Sequence, residues 1–374
     1  MSTAVKRKGV QPLVYDLGLL FPVLMLVGMG IVMVYSASGA MALKKFGSDY
    51  FFLKKQAGFS LIGMVVLVGF SYIPYRIYRV LVYPLLAVSM AMLVAVSFTG
   101  WGVSVNNSTR WLQLGALRFQ PSEVARLALV IYLAYSMSKK GDLLRDFSVG
   151  FMPHFLVLGI FAALLLAQPD FGSVVIFSAL TWIMLFVGGC RLTHLFSVFL
   201  LLVPVGVWVM TQADYRLKRL LIFLDPWKDP TDAGWQTIHS LMAFGTGGLT
   251  GVGIGKGYQK LFYLPEPHTD YIFSVVGEEL GLVGVTAVIL LYTVMLMRGI
   301  RIARNTRDAF GAFLAMGITV TIGMQVCINM GVAMGLLPTK GLTLPFLSYG
   351  GTSLLINMAA MGIMMNIGAR DARD

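Results

Sequence analysis

Apolar runs of roughly twenty residues recur along almost the whole chain, and few folds can accommodate them. About 20 apolar residues wound as a helix span the hydrocarbon core of a bilayer. Ten segments have this character: 15–36, 57–73, 80–98, 120–138, 150–168, 171–190, 192–211, 271–298, 309–332 and 351–368. Within lipid every backbone polar group must be satisfied internally, so runs of this length select helices. Composition agrees: 57% of the 374 residues are hydrophobic and 12% are charged, against roughly 25% charged in soluble domains. The expected fold is an all-α polytopic integral membrane protein, a single domain over residues 1–374 with about ten transmembrane helices.

An even number of spans puts both termini on one side. Lys6, Arg7 and Lys8 mark that side as cytoplasmic, and the connections carrying Arg76 and Arg79, Lys139, Lys140 and Arg145, Arg191, and Arg298, Arg301, Arg304 and Arg307 agree. The first outer loop opposes the rule with Lys44, Lys45, Lys54 and Lys55 and is outvoted. The net charge of +12 therefore reads as positive-inside loops beside anionic lipid, and no basic–aromatic patch argues for nucleic acid. The first apolar run is too long for a signal peptide and stays as a span. Cys190 and Cys327 sit apart in apolar runs with no metal or redox spacing and read as small hydrophobes.

On this topology residues 212–270 and the loops near 39–56, 99–119 and 333–350 lie outside, and they hold nearly all the polar residues. The cytoplasmic loops leave no room for a nucleotide-binding unit. Any reaction must draw on an energy-rich substrate or a gradient. In the long loop, leucines at 217, 220, 221 and 224 share one helical face beside Arg216 and Arg219, the pattern of an interfacial helix. Asp225–Gly234 reads as turns. Residues 245–257 are glycine-rich, but Thr250 and Gly257 break the Walker A pattern. The stretch is either a backbone cradle for a diphosphate, with Lys256 and Lys260 facing it, or a re-entrant loop.

Ionisable groups at the membrane edge are costly to keep. Glu123 and Arg126, in Gln120-Pro-Ser-Glu-Val-Ala-Arg126, share a helix face near the start of span four and can pair. Arg110 and Arg118 add cations just outside, making a basic vestibule suited to an anionic group. Leu264-Pro-Glu-Pro-His-Thr-Asp270 closes the long loop immediately before span eight. If that helix extended back to Asp270, Glu278 would lie roughly 12 Å below it and about 80° around the axis, and Glu279 about 180° around. Neither is then a close partner carboxylate, and both read as interior polar contacts. A glycoside hydrolase needs two facing carboxylates. Transfer from a sugar diphosphate needs one base, with cations to stabilise the leaving group. Asp270 with Arg110, Arg126, Lys256 and Lys260 suits the second chemistry. The stretch Leu337–Ser353, rich in proline, glycine and hydroxyls, reads as backbone lining a cavity or as a kinked start to span ten.

Taken in order, Tyr35-Ser-Ala-Ser38, Arg118-Phe-Gln-Pro-Ser-Glu123, Gln168-Pro-Asp-Phe-Gly172, Leu264–Asp270, Gly277-Glu-Glu-Leu-Gly281 and Pro345-Phe-Leu-Ser-Tyr-Gly-Gly351 resemble the SEDS family of cell-wall polymerases, FtsW/RodA/SpoVE. Pro338-Thr-Lys-Gly341 is more similar to the division branch, FtsW, than to the elongation branch, RodA. The resemblance implies an inverting peptidoglycan glycosyltransferase that polymerises lipid II and releases undecaprenyl diphosphate, with Asp270 as general base. It implies substrate contacts from Glu123 and Arg126, and candidate substrate contacts on this chain are then Arg110, Glu123, Arg126, Lys256, Lys260, His268 and Ser348. Arg126 departs from the lysine usual in the family, so charge stabilisation survives but a lysine-specific proton role does not. The implied partners are a class B penicillin-binding protein transpeptidase and other divisome membrane proteins, at the septum of a bacterial inner membrane, with the site extracytoplasmic. No cofactor is required by the residues. A divalent cation, Mg or Mn, remains an option for the leaving diphosphate, although Glu266, His268 and Asp270 lack a persuasive metal spacing. A lipid II flippase and a RodA-like polymerase are the alternative readings.

Overall fold

The computed structural model describes residues 16–371 except 106–107, 115–116, 213–217, 219–220, 233 and 262. Each of the ten apolar segments coincides with a helix. These are α1 (Leu17–Phe46), α2 (Phe51–Tyr72), α3 (Tyr78–Phe98), α4 (Pro121–Lys140), α5 (Met152–Leu166), α6 (Phe171–Val187), α7 (Leu192–Thr211), α9 (Ile272–Asn305), α10 (Ala309–Ala333) and α11 (Gly351–Asp371). One further helix, α8 (Trp235–Gly247), lies within the long loop. Among the described residues seven helices are long and apolar enough to cross a membrane by length and composition. Of the other three, α7 is apolar over its 20 residues, α6 is apolar but has 17, and α4 carries Glu123, Arg126, Lys139 and Lys140 within its length.

The helix starts follow local chemistry. Asp16 accepts from the Gly18 N–H at 2.9 Å at the start of α1. Asp170 caps α6, accepting from the Ser173 N–H at 3.2 Å, and Asp308 caps α10. Each side-chain oxygen satisfies a backbone donor that has no intrahelical acceptor. The first outer loop is much shorter than the hydropathy pattern suggested. α1 runs on to Phe46 and α2 begins at Phe51. Lys44 and Lys45 occupy the last turn of α1, where the negative end of the helix dipole favours cations. An apolar run marks where a helix meets lipid, not where its hydrogen bonds stop.

α11 and α10 form the centre. The apolar window of α11 is 83% buried and that of α10 50%, against 22% for α2 at the periphery. α11 packs on α2, α10 on α4 and α9, α3 on α4, and α1 on α9. α7 packs on α6 and leaves Phe196, Phe199, Leu200 and Trp208 exposed, an outer face as apolar as the lipid tails it would meet. The loop after α3 adds a three-stranded antiparallel sheet, β1 (Gly102–Val105), β2 (Ser108–Leu114) and β3 (Leu117–Phe119), in the order β1-β2-β3. Pairing of Gln113 with Arg118 and Leu112 with Phe119 folds this segment back over the start of α4. The interfacial helix expected over Tyr215–Leu224 falls largely outside the described residues, and so do Asn106 and Asn107; Leu221–Leu224 are helical.

Span eight is broken. Gly281, inside α9, has φ 64° and ψ −160°, a conformation essentially restricted to glycine. The glycine-rich loop fills the break. Val252 and Gly253 donate backbone N–H groups to the carbonyls of Glu278 and Glu279, both at 3.0 Å. In return Leu282 and Val283 donate to the carbonyls of Gly248 and Leu249, at 3.0 and 3.2 Å. Non-helical backbone at membrane depth is tolerated when protein satisfies it in this way.

Candidate active site

Asp270 sits half-buried in the turn that leads into α9. The turn is fastened by three residues on two elements. Asn329, buried on α10, donates its side-chain amide to the Asp270 carbonyl at 3.0 Å and also to the Leu342 carbonyl. Ser348 donates its hydroxyl to the Thr269 carbonyl at 2.6 Å and accepts from the Leu344 N–H at 2.8 Å. Tyr349 donates its N–H to the His268 carbonyl at 2.9 Å. The turn and the 334–350 loop are therefore one unit. The Asp270 carboxylate rests over Gly341: a Cβ there would stand 2.9 Å from Oδ2. Any larger residue would crowd the carboxylate.

His268 is buried, at 3% exposure, with its ring between Phe52 and Tyr349 at centroid distances of 4.6 and 5.5 Å. Burial, with Lys45 pushing the same way, lowers its pKa to about 4. Glu266 lies 3.8 Å away and would oppose this, but its carboxylate is more than half exposed and screened by solvent. Burial wins, and the imidazole is neutral at pH 7. His268 and Ser348 thus act on the shape of the Asp270 turn.

A second cluster forms where α4, α6 and the sheet meet. Pro121 takes the first position of α4 and puts Glu123 in its first turn, as the Gln120-Pro pattern predicts. Glu123 and Arg126 form an ion pair with both side chains almost fully buried. Gln325 of α10, with its amide oxygen turned toward Arg126, accepts from the guanidinium at 2.7 and 3.0 Å. Arg110 on β2 donates to the Pro169 carbonyl at 2.7 Å and stands 3.8 Å from Asp170. Arg118 is exposed at the rim.

The glycine-rich stretch is the anchored alternative, not a phosphate cradle. Glu278 accepts from the N–H groups of Tyr258 and Gln259 at 2.7 and 3.1 Å. Glu279 pairs with Lys260 at 2.5 Å, with side-chain exposures of 0% and 6%. Glu279 also accepts from the Gly255 N–H and the Ser36 hydroxyl, at 3.1 and 2.7 Å. The buried carboxylates of span eight therefore hold the loop, as interior polar contacts should. Lys260 is committed to that ion pair and also donates to the Ser36 hydroxyl at 2.8 Å. Lys256 is exposed to solvent.

Of the expected site residues, the structure places Asp270, His268 and Ser348 in one unit and Arg110, Glu123 and Arg126 in another. Lys260 belongs to the scaffold of the loop. Three residues were missed: Asn329, Gly341 and Lys340. Asn329 carried a legible signal, an amide beside Gln325 in the otherwise apolar run of span nine. Lys340 belongs to the Pro338–Gly341 motif, but nothing in its spacing ties it to Asp170 or Arg126. Among the described residues no three His, Cys, Asp or Glu side chains converge as a metal site. A divalent ion would need substrate phosphates beside at most one or two carboxylates, an arrangement magnesium accepts.

A family model described as cell cycle protein, FtsW/RodA/SpoVE, matches residues 17–373. The probable peptidoglycan glycosyltransferase FtsW of Trichlorobacter lovleyi is 48% identical over 365 residues, covering 98% of this chain and 96% of that one. Stage V sporulation protein E of Bacillus subtilis is 41% identical over 352 residues, covering 94% and 96%. Among solved structures, one chain comes from a peptidoglycan synthase complex described as coordinating polymerization and crosslinking. It superposes with a TM-score of 0.78 at 31% identity, covering 97% of this chain and all of that one. The rod shape determining protein RodA of Thermus thermophilus superposes with a TM-score of 0.69 at 28% identity, covering 96% and 98%.

Proposed function

We infer the function from one premise: this chain belongs to the FtsW/RodA/SpoVE family. It is a multi-pass membrane peptidoglycan glycosyltransferase, and its similarity to FtsW proteins over nearly its full length fits a role in cell division. The substrate of this reading is lipid II. The single observation that carries the mechanism is the fastened Asp270 turn, which presents one carboxylate over Gly341 with the cations of α4 and β2 on a neighbouring element.

In the proposed reaction the 4-hydroxyl of the acceptor disaccharide attacks the anomeric carbon of the lipid-linked donor from the face opposite the diphosphate, so configuration inverts. The new O4–C1 bond forms as the C1–O bond to diphosphate breaks, and its electron pair stays on the diphosphate oxygen. The acceptor proton passes to Asp270. No second carboxylate is needed, because the leaving group requires charge stabilisation and not a proton. Glu123 keeps Arg126 oriented, and Gln325 fixes the guanidinium from the other side. The outward position of Asp270, a location at the septum, and assembly with a class B penicillin-binding protein that crosslinks the new glycan complete the reading. The similarity to a chain of a synthase complex supports such a partner.

Purified protein with its crosslinking partner is expected to polymerise lipid II on a glycan gel. Asp270→Asn should lower the rate at least about 100-fold, the scale of a lost general base, with an unchanged melting temperature. Normal glycan synthesis by the variant would remove Asp270 from this role. Transfer of labelled lipid II between leaflets without any glycan product would favour a flippase.

A further inference from the structure

Among the described residues, the charged groups around the start of α6 can be paired off one by one, and Lys340 is left over. Glu123 is spent on Arg126. Asp170 accepts from the Ser173 N–H and, at 2.6 Å, from the Ser173 hydroxyl, and it faces Arg110 at 3.8 Å. Lys340 reaches into this group from the 334–350 loop, its stem lying against Gly172: a Cβ on Gly172 would meet Lys340 Cε at 2.1 Å. Its ammonium nitrogen is fully buried and has no hydrogen-bond partner among the described residues. A buried unpaired ammonium is among the most costly arrangements a protein can hold. The positive end of the α6 dipole adds to the cost.

We propose that Lys340 is held unpaired to bind the diphosphate of the lipid-linked donor, opposite Asp270 across the reacting carbon. This rests on the polymerase reading for the identity of the ligand. The chain itself supports the placement. Lys340 and Gly341 are consecutive, and Gly341 touches the Asp270 carboxylate. A lysine side chain of about 6 Å, a 3.8 Å Cα step and about 4 Å from Gly341 to the carboxylate put the ammonium within about 14 Å of that carboxylate. A base, an attacking oxygen, an anomeric carbon and a leaving oxygen fit in line over that span. Arg110 and Arg126 lie near enough to act on the same ammonium and each already faces a carboxylate, so a diphosphate there would meet three cations of which two are already compensated. Burial lowers the pKa of Lys340 to about 7, with Asp170 and Glu123 opposing and Arg126 and Arg110 reinforcing. The amine is therefore only partly charged when empty, and a bound diphosphate restores the charge.

A cation kept for a ligand and a cation kept for the fold respond oppositely to removal. The full chain in lipid nanodiscs is titrated with undecaprenyl diphosphate and its melting temperature recorded. K340M should bind undecaprenyl diphosphate at least ~10-fold more weakly, the scale of one charge-assisted contact, while melting at the same or a higher temperature than the wild type. Gly172→Ala, which displaces the lysine stem without removing it, should weaken binding in the same direction. Unchanged affinity in K340M would overturn the proposal, and so would a lowered melting temperature in both variants. If the wild type makes no glycan yet K340M loses affinity, the polymerase reading fails and Lys340 stands as a ligand for a lipid diphosphate. If the wild type makes glycan and K340M binds and polymerises normally, only the lysine assignment falls.

Discussion

At the scale of single residues, burial decides which ionisable groups act and which support. Asp270 stays half-exposed while its backbone is fixed by Asn329. His268, two residues earlier, is buried between two rings and neutral. This difference has a measurable pH consequence. The unfolded imidazole titrates near 6.5 and the folded one near 4. Between these values the unfolded chain binds the extra proton, so stability falls as pH drops through this window and levels off below it. The loss is roughly 3 kcal/mol. Melting in detergent from pH 7 to pH 4 should therefore be less acid-sensitive in His268→Phe, which keeps the aromatic stack. Equal acid sensitivity in both proteins would show that His268 is not buried as described. Arg126, where the family usually carries lysine, is consistent with a fixed charge: two contacts from Gln325 and one ion pair use the planar fork of a guanidinium.

At the scale of elements, the decisive feature is the break in α9. Two backbone hydrogen bonds that a continuous helix would make internally, from Leu282 and Val283 to the carbonyls of Glu278 and Glu279, are replaced by four with the glycine-rich loop, and Glu278 and Glu279 add side-chain anchors on the same loop. Gly281→Ala should therefore be damaging. Its backbone conformation is closed to alanine, and a Cβ would stand 2.3 Å from the Gly251 nitrogen. The expected cost is about 3 kcal/mol, visible as a lower melting temperature and as new trypsin cleavage at Lys256. Gly28→Ala is the control, since a Cβ there meets nothing within 4 Å and alanine favours a helix. Two equally stable variants would argue that the break is dispensable. The loop's glycines were legible in the sequence, but their purpose was not. A phosphate cradle and a loop packed closely on a broken helix demand the same absence of side chains.

At the scale of the whole molecule, the ten apolar segments became ten helices, seven of which meet a strict requirement for length and apolarity among the described residues. The arrangement leads to a topology that can be tested directly. With Cys190 and Cys327 replaced by alanine, a cysteine introduced at exposed Lys256 should react in whole spheroplasts with a membrane-impermeant maleimide. One at exposed Arg301 should react only after permeabilisation. The reverse pattern would invert the protein and put Asp270 on the cytoplasmic side. In the proposed topology, outward placement would give the site access to a lipid-linked donor and to the growing wall without any nucleotide.

The sequence by itself determined the class of fold and the start of span four at Pro121, and it singled out Asp270 as the candidate base. These rest on local rules: apolar length, capping chemistry and the cost of charge at a membrane edge. Only the tertiary structure decided how the polar residues are shared out. Lys260 and Lys340 look alike in the sequence, yet one lies in a buried ion pair with Glu279 and the other is buried with no hydrogen-bond partner among the described residues. Their surroundings come from α1, α4, α6 and α9, brought together by packing that no short spacing records. Which charge is already neutralised, and which is left for a ligand, is a property of neighbours in space.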